Sequence, residues 1–223
     1  MREWQAHDAV TEPVDVTPPP PAKKYDLGDY LFQFIVITAG VLIALLLNGL
    51  VQWNDDRALV VQARETIAQE IAQNKDDMNK TLAGIAEDMR RLDNALKFAT
   101  DMLTAKKTSI TELMLHLNFA DVSSAGWRTA ERTGALSHMP YAEVQRYSLL
   151  YDLQDLYTEQ QRAMLLQLAE ASAILSADFN PDNPNTKDLE AFRDRVMRLR
   201  STLVIHEQMA KRLAERYAEA LAQ

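Results

Sequence analysis

The chain has 223 residues, 47% of them hydrophobic, with a formal net charge of −8 and no cysteine. The acidic balance argues against a nucleic-acid binder, which must neutralise phosphates with Lys and Arg. The lack of cysteine excludes disulfides, thiolate metal sites and cysteine nucleophiles. Glycine is scarce, at 6 residues, while Ala, Leu, Glu, Gln, Arg and Met are plentiful. Straight-chain residues lose little rotamer freedom in a helix, and β-branched or aromatic runs are few outside residues 30–53. The composition predicts an all-α fold.

Residues 1–29 read as a disordered tail. They contain Thr17-Pro18-Pro19-Pro20-Pro21, which favours polyproline II over helix and reads as a flexible spacer.

Tyr30 to Asn54 contains no charged residue and is bounded by Asp29 and Asp55. A helix over Leu31–Val51 is about 31 Å long at ~1.5 Å per residue, close to the ~30 Å hydrocarbon thickness of a bilayer. Tyr30 and Trp53 suit the two interfaces. A cleaved signal peptide has a shorter apolar region nearer the N-terminus, followed by small residues. A core helix apolar on every side is uncommon in so small a chain. Residues 30–54 are therefore expected to be a retained single-pass anchor. Arg2, Lys23 and Lys24 on one side face Arg57 and Arg64 on the other. Lys23 and Lys24 lie close to the span, so the expected orientation places the N-terminus in the cytoplasm and the bulk outside, which in a Gram-negative cell is the periplasm. Gln33, Gly40, Ala44 and Asn48 share one helix side, and Gly40-x-x-x-Ala44 is a small-x-x-x-small pair that lets two membrane helices approach.

A helical pattern then runs from Asp55 to about Ala105. Its apolar positions are Val60, Ile67, Ile71, Met78, Leu82, Ile85, Met89, Leu92, Leu96, Ala99 and Leu103, spaced mostly 3 and 4 apart. No Pro interrupts it, so it is expected to continue directly from the anchor. Lys106-Lys107-Thr108 reads as a turn. Ser109 with Glu112 fits a capping box opening a short helix over Ile110–Phe119. A further short helix is expected at Trp127–Arg132, ended by Gly134. Pro140 suits the first turn of a helix to about Ala177. Asp178–Asn185, with Pro181 and Pro184, reads as a loop, and Asn185 or Thr186 caps a last helix to about Leu221. That helix's seam is Leu189, Phe192, Val196, Leu199, Leu203, His206, Met209, Leu213 and Tyr217. Residues 55–223 are thus expected to form an antiparallel helical bundle outside the membrane.

Reaction chemistry is hard to find. His206-Glu207 starts like a zinc-protease motif, but Ala210 stands where the second histidine must be. Glu112 and His116 are four apart, a spacing typical of surface pairs. His206 falls on an apolar seam and reads as a core residue whose neutral form burial favours. No phosphate loop, nucleophile elbow or carboxylate dyad is recognisable. No catalytic residue, metal or cofactor is expected. Trp127, Arg128, Arg132, Tyr141, Tyr147 and Tyr151 gather aromatics and Arg near an irregular connection. Such residues suit either a binding surface or the plug of a bundle end.

Gly40-Val41-Leu42-Ile43-Ala44-Leu45, Asn48, Trp53-Asn54 and Arg57 resemble the start of an uncharacterised family of small bacterial membrane proteins. In that family an apolar anchor ends in Trp-Asn and leads into a long charged helix. Weaker similarity reaches Thr133-Gly134-Ala135-Leu136, ahead of a tyrosine-containing helix. The gap between Asn48 and Trp53 is longer here, and the proline-rich tail departs from the pattern. The resemblance covers about a third of the chain and implies a bacterial single-pass protein of unassigned role; the location expected for it is the bacterial inner membrane.

The leading functional expectation is a non-enzymatic, membrane-anchored interaction or scaffold module, binding a protein partner or itself. The alternatives are an extracytoplasmic small-molecule sensor acting through a partner and, weakest, a membrane-bound enzyme.

Overall fold

The computed structural model describes residues 27–104, 106, 113, 115–174, 179, 180 and 184–222. Among them every regular element is helical: α1 (Leu27–Leu103), α2 (Ala125–Arg132), a 3-10 turn at Ala135–His138, α3 (Tyr141–Ile174) and α4 (Thr186–Leu221). The all-α expectation holds. The chain divides into two compact units, Met1–Val51 and Gln52–Gln223, and α1 contributes to both. Its start at Leu27 takes in the last three residues of the expected tail, the rest of which lies outside the described residues.

In the first unit α1 is apolar all round. Every large apolar side chain from Leu27 to Val51 is more than half exposed, none contributing to a core. It is the one helix among the described residues long and apolar enough to cross a membrane. Gln33, Gly40, Ala44 and Asn48 are all exposed on it, and a Cβ at Gly40 would meet nothing.

The second unit is built on seven-residue repeats. On α1, Val60, Ile67, Asn74, Thr81, Asp88 and Ala95 are buried at intervals of seven, beside a second row of Ile71, Met78, Ile85, Leu92 and Ala99. On α4 the rows are Leu189, Val196, Leu203, Ala210 and Tyr217, and Phe192, Leu199, His206 and Leu213. Rows at this period keep one face of a helix toward its neighbours over many turns. α3 supplies Leu150, Tyr157, Met164 and Ala171. Two apolar clusters result. One joins Ile67, Ile71 and Met78 to Tyr151, Tyr157, Leu213 and Tyr217, and the other joins Leu92 and Ala99 to Met164, Phe192 and Leu199.

Cross-links fix the directions. Arg64 pairs with Glu143 and Asn74 with Gln154, so α1 and α3 run parallel. Tyr217 bonds Gln154 while Arg195 pairs with Glu170, so α4 runs antiparallel to α3. Two parallel helices need a return path between them. The sequence suggests a short helix at 110–119. Its first residues lie outside the described set, but Leu113 and residues 115–119 are not helical. The return is instead an extended strap over residues 115–124. It meets α1 at Asp88 through Asn118 and at Asn74 through Ser123. Fourteen helical residues cover ~21 Å and five extended residues ~17 Å, which is why an extended run matches that stretch of α1.

The later elements fall close to expectation. Gly134 adopts φ +79°, the left-handed conformation that stops α2. Asn185 accepts Lys187 N–H at 3.0 Å as the cap of α4.

Candidate functional site

The strap cannot satisfy its own backbone, because it is neither helix nor sheet. α1 does so with polar side chains on its buried face. Asn74 Nδ2 donates to Ser123 O at 2.7 Å, and Ser123 N donates back to Asn74 Oδ1 at 2.8 Å. Gln154 Nε2 also donates to Ser123 O, and Gln154 Oε1 accepts the Tyr217 hydroxyl at 2.6 Å. Fully buried Asp88 accepts Asn118 N and Nδ2, each at 2.9 Å, and Arg91 at 2.8 Å. Burial pushes the Asp88 carboxyl above its ordinary range, against the opposing pull of Asn118 and Arg91. These residues are structural clamps.

Glu70 is the hub for α2. Its carboxylate accepts the Ser123 hydroxyl at 2.9 Å, Gly126 N at 2.8 Å, Trp127 N at 3.4 Å and the Tyr151 hydroxyl at 2.7 Å. It therefore caps α2 from another helix, satisfying backbone donors that Ser124, which makes no side-chain cap, leaves open. A Cβ on Gly126 would lie 3.1 Å from Thr66 Cγ2, so the close approach of α2 to α1 needs glycine or a local shift.

These contacts divide the six residues expected at an interaction surface. Trp127 stacks on Tyr151 with ring centroids 5.2 Å apart and an interplanar angle of 13°, and Tyr147 tilts against Trp127 at 6.3 Å. Tyr151 is buried, and Trp127 and Tyr147 are partly buried against the same core cluster. Arg128, Arg132 and Tyr141 remain exposed.

A cleft of 810 Å³ opens between α1, α3 and α4, which sequence reading did not single out. Arg64, Arg146, Arg212 and Arg216 line it with Glu143 and Glu219. Its apolar lining includes Ile71, Leu149, Leu150 and Leu153. Arg64 grips Glu143 through two bonds of 2.7 Å, a bidentate pair that holds the Glu143 carboxyl below its ordinary range. Arg216 pairs with Glu219 at 2.8 Å in an exposed position. Arg146 and Arg212 have no acidic partner within salt-bridge distance among the described residues. No sequence pattern flags the cleft, because its residues come from three helices separated by loops.

His206 is buried, and neither ring nitrogen has a hydrogen-bond partner among the described residues. Its ring stacks on Tyr157 at 4.4 Å and meets the edge of Phe119 at 6.2 Å. Burial pushes its pKa down to about 4. Ala210 is buried beside it, and His116 is exposed on the strap, while Glu112 lies outside the described residues. Among the described residues no group of three or more His, Asp or Glu side chains is placed to hold a metal ion.

Comparison with known proteins gives no match to a family model, a curated protein or a solved structure.

Proposed function

We propose that the chain is a single-pass membrane protein whose helical unit serves as a non-enzymatic interaction or scaffold module. The observation that carries this reading is the uncharged stretch Tyr30–Asn54, whose large apolar side chains all stay more than half exposed. Water opposes that exposure at ~25 cal/mol per Å² of apolar surface, whereas lipid solvates it. Lys23 and Lys24 favour a cytoplasmic N-terminus and an extracytoplasmic bundle, at the inner membrane of a bacterium. Gly40, Ala44 and Asn48, with Gln33, form the face for lateral helix contact. Outside the bilayer, Arg128, Arg132 and Tyr141 offer accessible contacts, joined by the exposed Leu156 and Leu166 of α3 and Met197 and Ile205 of α4. Fractionation of lysed cells tests the anchor. The protein should sediment with membranes and resist alkaline extraction, and recovery in the supernatant overturns the reading. Crosslinking in intact cells tests the module, where Gly40→Leu should weaken any lateral dimer.

A second reading, a sensor that binds a small molecule and signals through a partner, is favoured by one specific observation. The cleft's volume falls within the roughly 300–1,000 Å³ usual for ligand sites.

A further inference from the structure

We infer that the cleft between α1, α3 and α4 binds an amphiphilic anion, an acyl chain ending in a carboxylate or phosphate group. The inference deepens the sensor reading and rests on it. The whole chain carries a net charge of −8, yet four arginines and two glutamates line this one cleft. Its cationic character runs against the bulk composition.

Pairing then decides which arginines are available. The Glu143 carboxylate takes the Nε–Nη2 edge of Arg64 and neutralises its charge, so Arg64 is committed to the wall of the cleft first. Arg216 is held only by a surface bond to Glu219, with both side chains more than half exposed. Arg146, one turn beyond Glu143 on α3, and Arg212, one turn before Arg216 on α4, have no acidic partner within salt-bridge distance among the described residues. Two arginines from opposed helices thus line the same space, Arg146 close enough to Glu143 to feel its charge but not paired with it. A planar fork donating paired N–H groups is suited to carboxylate and phosphate oxygens.

The rest of the lining selects an apolar body for that anion. Leu149 is well exposed on the cleft side of α3, and Leu150, Leu153 and Ile71 continue the apolar wall inward. A small hydrophilic anion would leave this wall in water, whereas an acyl chain covers it. The volume of 810 Å³ accommodates a chain as well as a head group.

The test uses the full-length protein in phosphatidylcholine nanodiscs with a diazirine-bearing hexadecanoate as photoprobe, the labelled peptides being mapped by mass spectrometry. The matching diazirine-bearing hexadecanol supplies the same chain without the charge. Labelling is expected in the α3 peptide holding Leu149 and Leu153 and at the end of α4. It should fall about tenfold or more with the alcohol, and by a similar factor in the Arg146→Gln/Arg212→Gln double variant, whose helix content is checked by circular dichroism. Soluble short-chain phosphatidylglycerol as competitor separates the two sources of the chemistry. Displacement of the probe assigns the site to a phospholipid head group, and undiminished labelling assigns it to a free acid. Equal cleft labelling by acid and alcohol, unchanged labelling in the double variant, or label confined to Tyr30–Trp53 overturns the inference. An unlabelled cleft in a protein that still sediments with membranes removes the ligand and leaves the anchored interaction module standing.

Discussion

The Tyr151 hydroxyl donates to Glu70 Oε1 at 2.7 Å, joining α3 to α1 across 81 positions of sequence. The same carboxylate receives the first backbone amides of α2, so one side chain ties three helices together. The bond also raises the Tyr151 pKa, in addition to the larger effect of burial, because ionised tyrosine would face a carboxylate.

All four partners of Glu70 are donors, which makes the effect of two substitutions separable. Glu70→Ala leaves the Gly126 and Trp127 amides and the Tyr151 hydroxyl without an acceptor, a loss of about 3 kcal/mol. Glu70→Gln keeps one acceptor oxygen but turns an NH2 group toward a donor. The Ser and Tyr hydroxyls can rotate to accept from it, whereas Gly126 N–H cannot. The glutamine variant should lose about 1–2 kcal/mol. Thermal unfolding of the detergent-solubilised protein should rank wild type above Gln and Gln above Ala. Near-ultraviolet dichroism from the Trp127–Tyr151 stack should weaken in the same order.

The strap predicts a local effect. Asn74→Ala removes both bonds to the Ser123 backbone; Gln154 still donates to the carbonyl, but the amide loses its acceptor, at a cost of about 1–2 kcal/mol. Asp88 still holds Asn118, so the strap should loosen at its α2 end first. Hydrogen exchange should accelerate over residues 120–126 more than over 115–118. Uniform acceleration across the strap and α4 would show instead that the whole unit opens together.

The helices were legible because their seams are apolar. On α4, Leu189 through Tyr217 fall where spacing places them, with one exchange: Ala210 is buried while Met209 is only partly so. Small residues mark close approach but carry little hydropathy signal. On α1 the same reading passes over Asn74, Thr81 and Asp88, because polar residues in a helix are ordinarily solvent-facing. Asn74 and Asp88 are buried because the strap crosses them and its backbone needs partners that only side chains can give. The strap itself was illegible for the complementary reason: its bonding partners lie 30 and 49 positions away. Trp127 and Tyr151 stood out as aromatic in sequence. That they pack on each other follows from Glu70, which bonds both and which spacing alone did not connect to them.

Gly134 sits at φ +79° with nothing within 4 Å of the position a Cβ would occupy. Gly134→Ala therefore meets no steric neighbour, and its whole effect is conformational. The expected loss is about 1 kcal/mol, the usual difference for a left-handed residue with a side chain. Gly134→Asn should lose less, since asparagine tolerates that conformation. Thermal melts of the two variants check the order.

His206 gives the clearest dependence on pH. In the unfolded chain it titrates near the ordinary value of 6.5, whereas in the folded protein burial lowers its pKa to about 4. Between these values the unfolded state binds a proton that the folded state refuses. By linkage, stability is then full above pH ~6.5 and falls as pH drops toward 4, by about 3 kcal/mol from this residue. Below that pH the folded imidazole is protonated as well and the loss levels off. His206→Leu replaces a ring with two unpartnered nitrogens by an apolar side chain of similar size. At pH 7 the variant sheds the desolvation cost of those nitrogens but forfeits the stack on Tyr157, and should be more stable by about 1 kcal/mol. Its stability should also be flatter between pH 6.5 and 4 than that of the wild type. A Leu variant with an unchanged acid profile would place the titration elsewhere. Asp88 cannot supply it, because a carboxyl raised by burial favours the folded state as pH falls, the opposite sign.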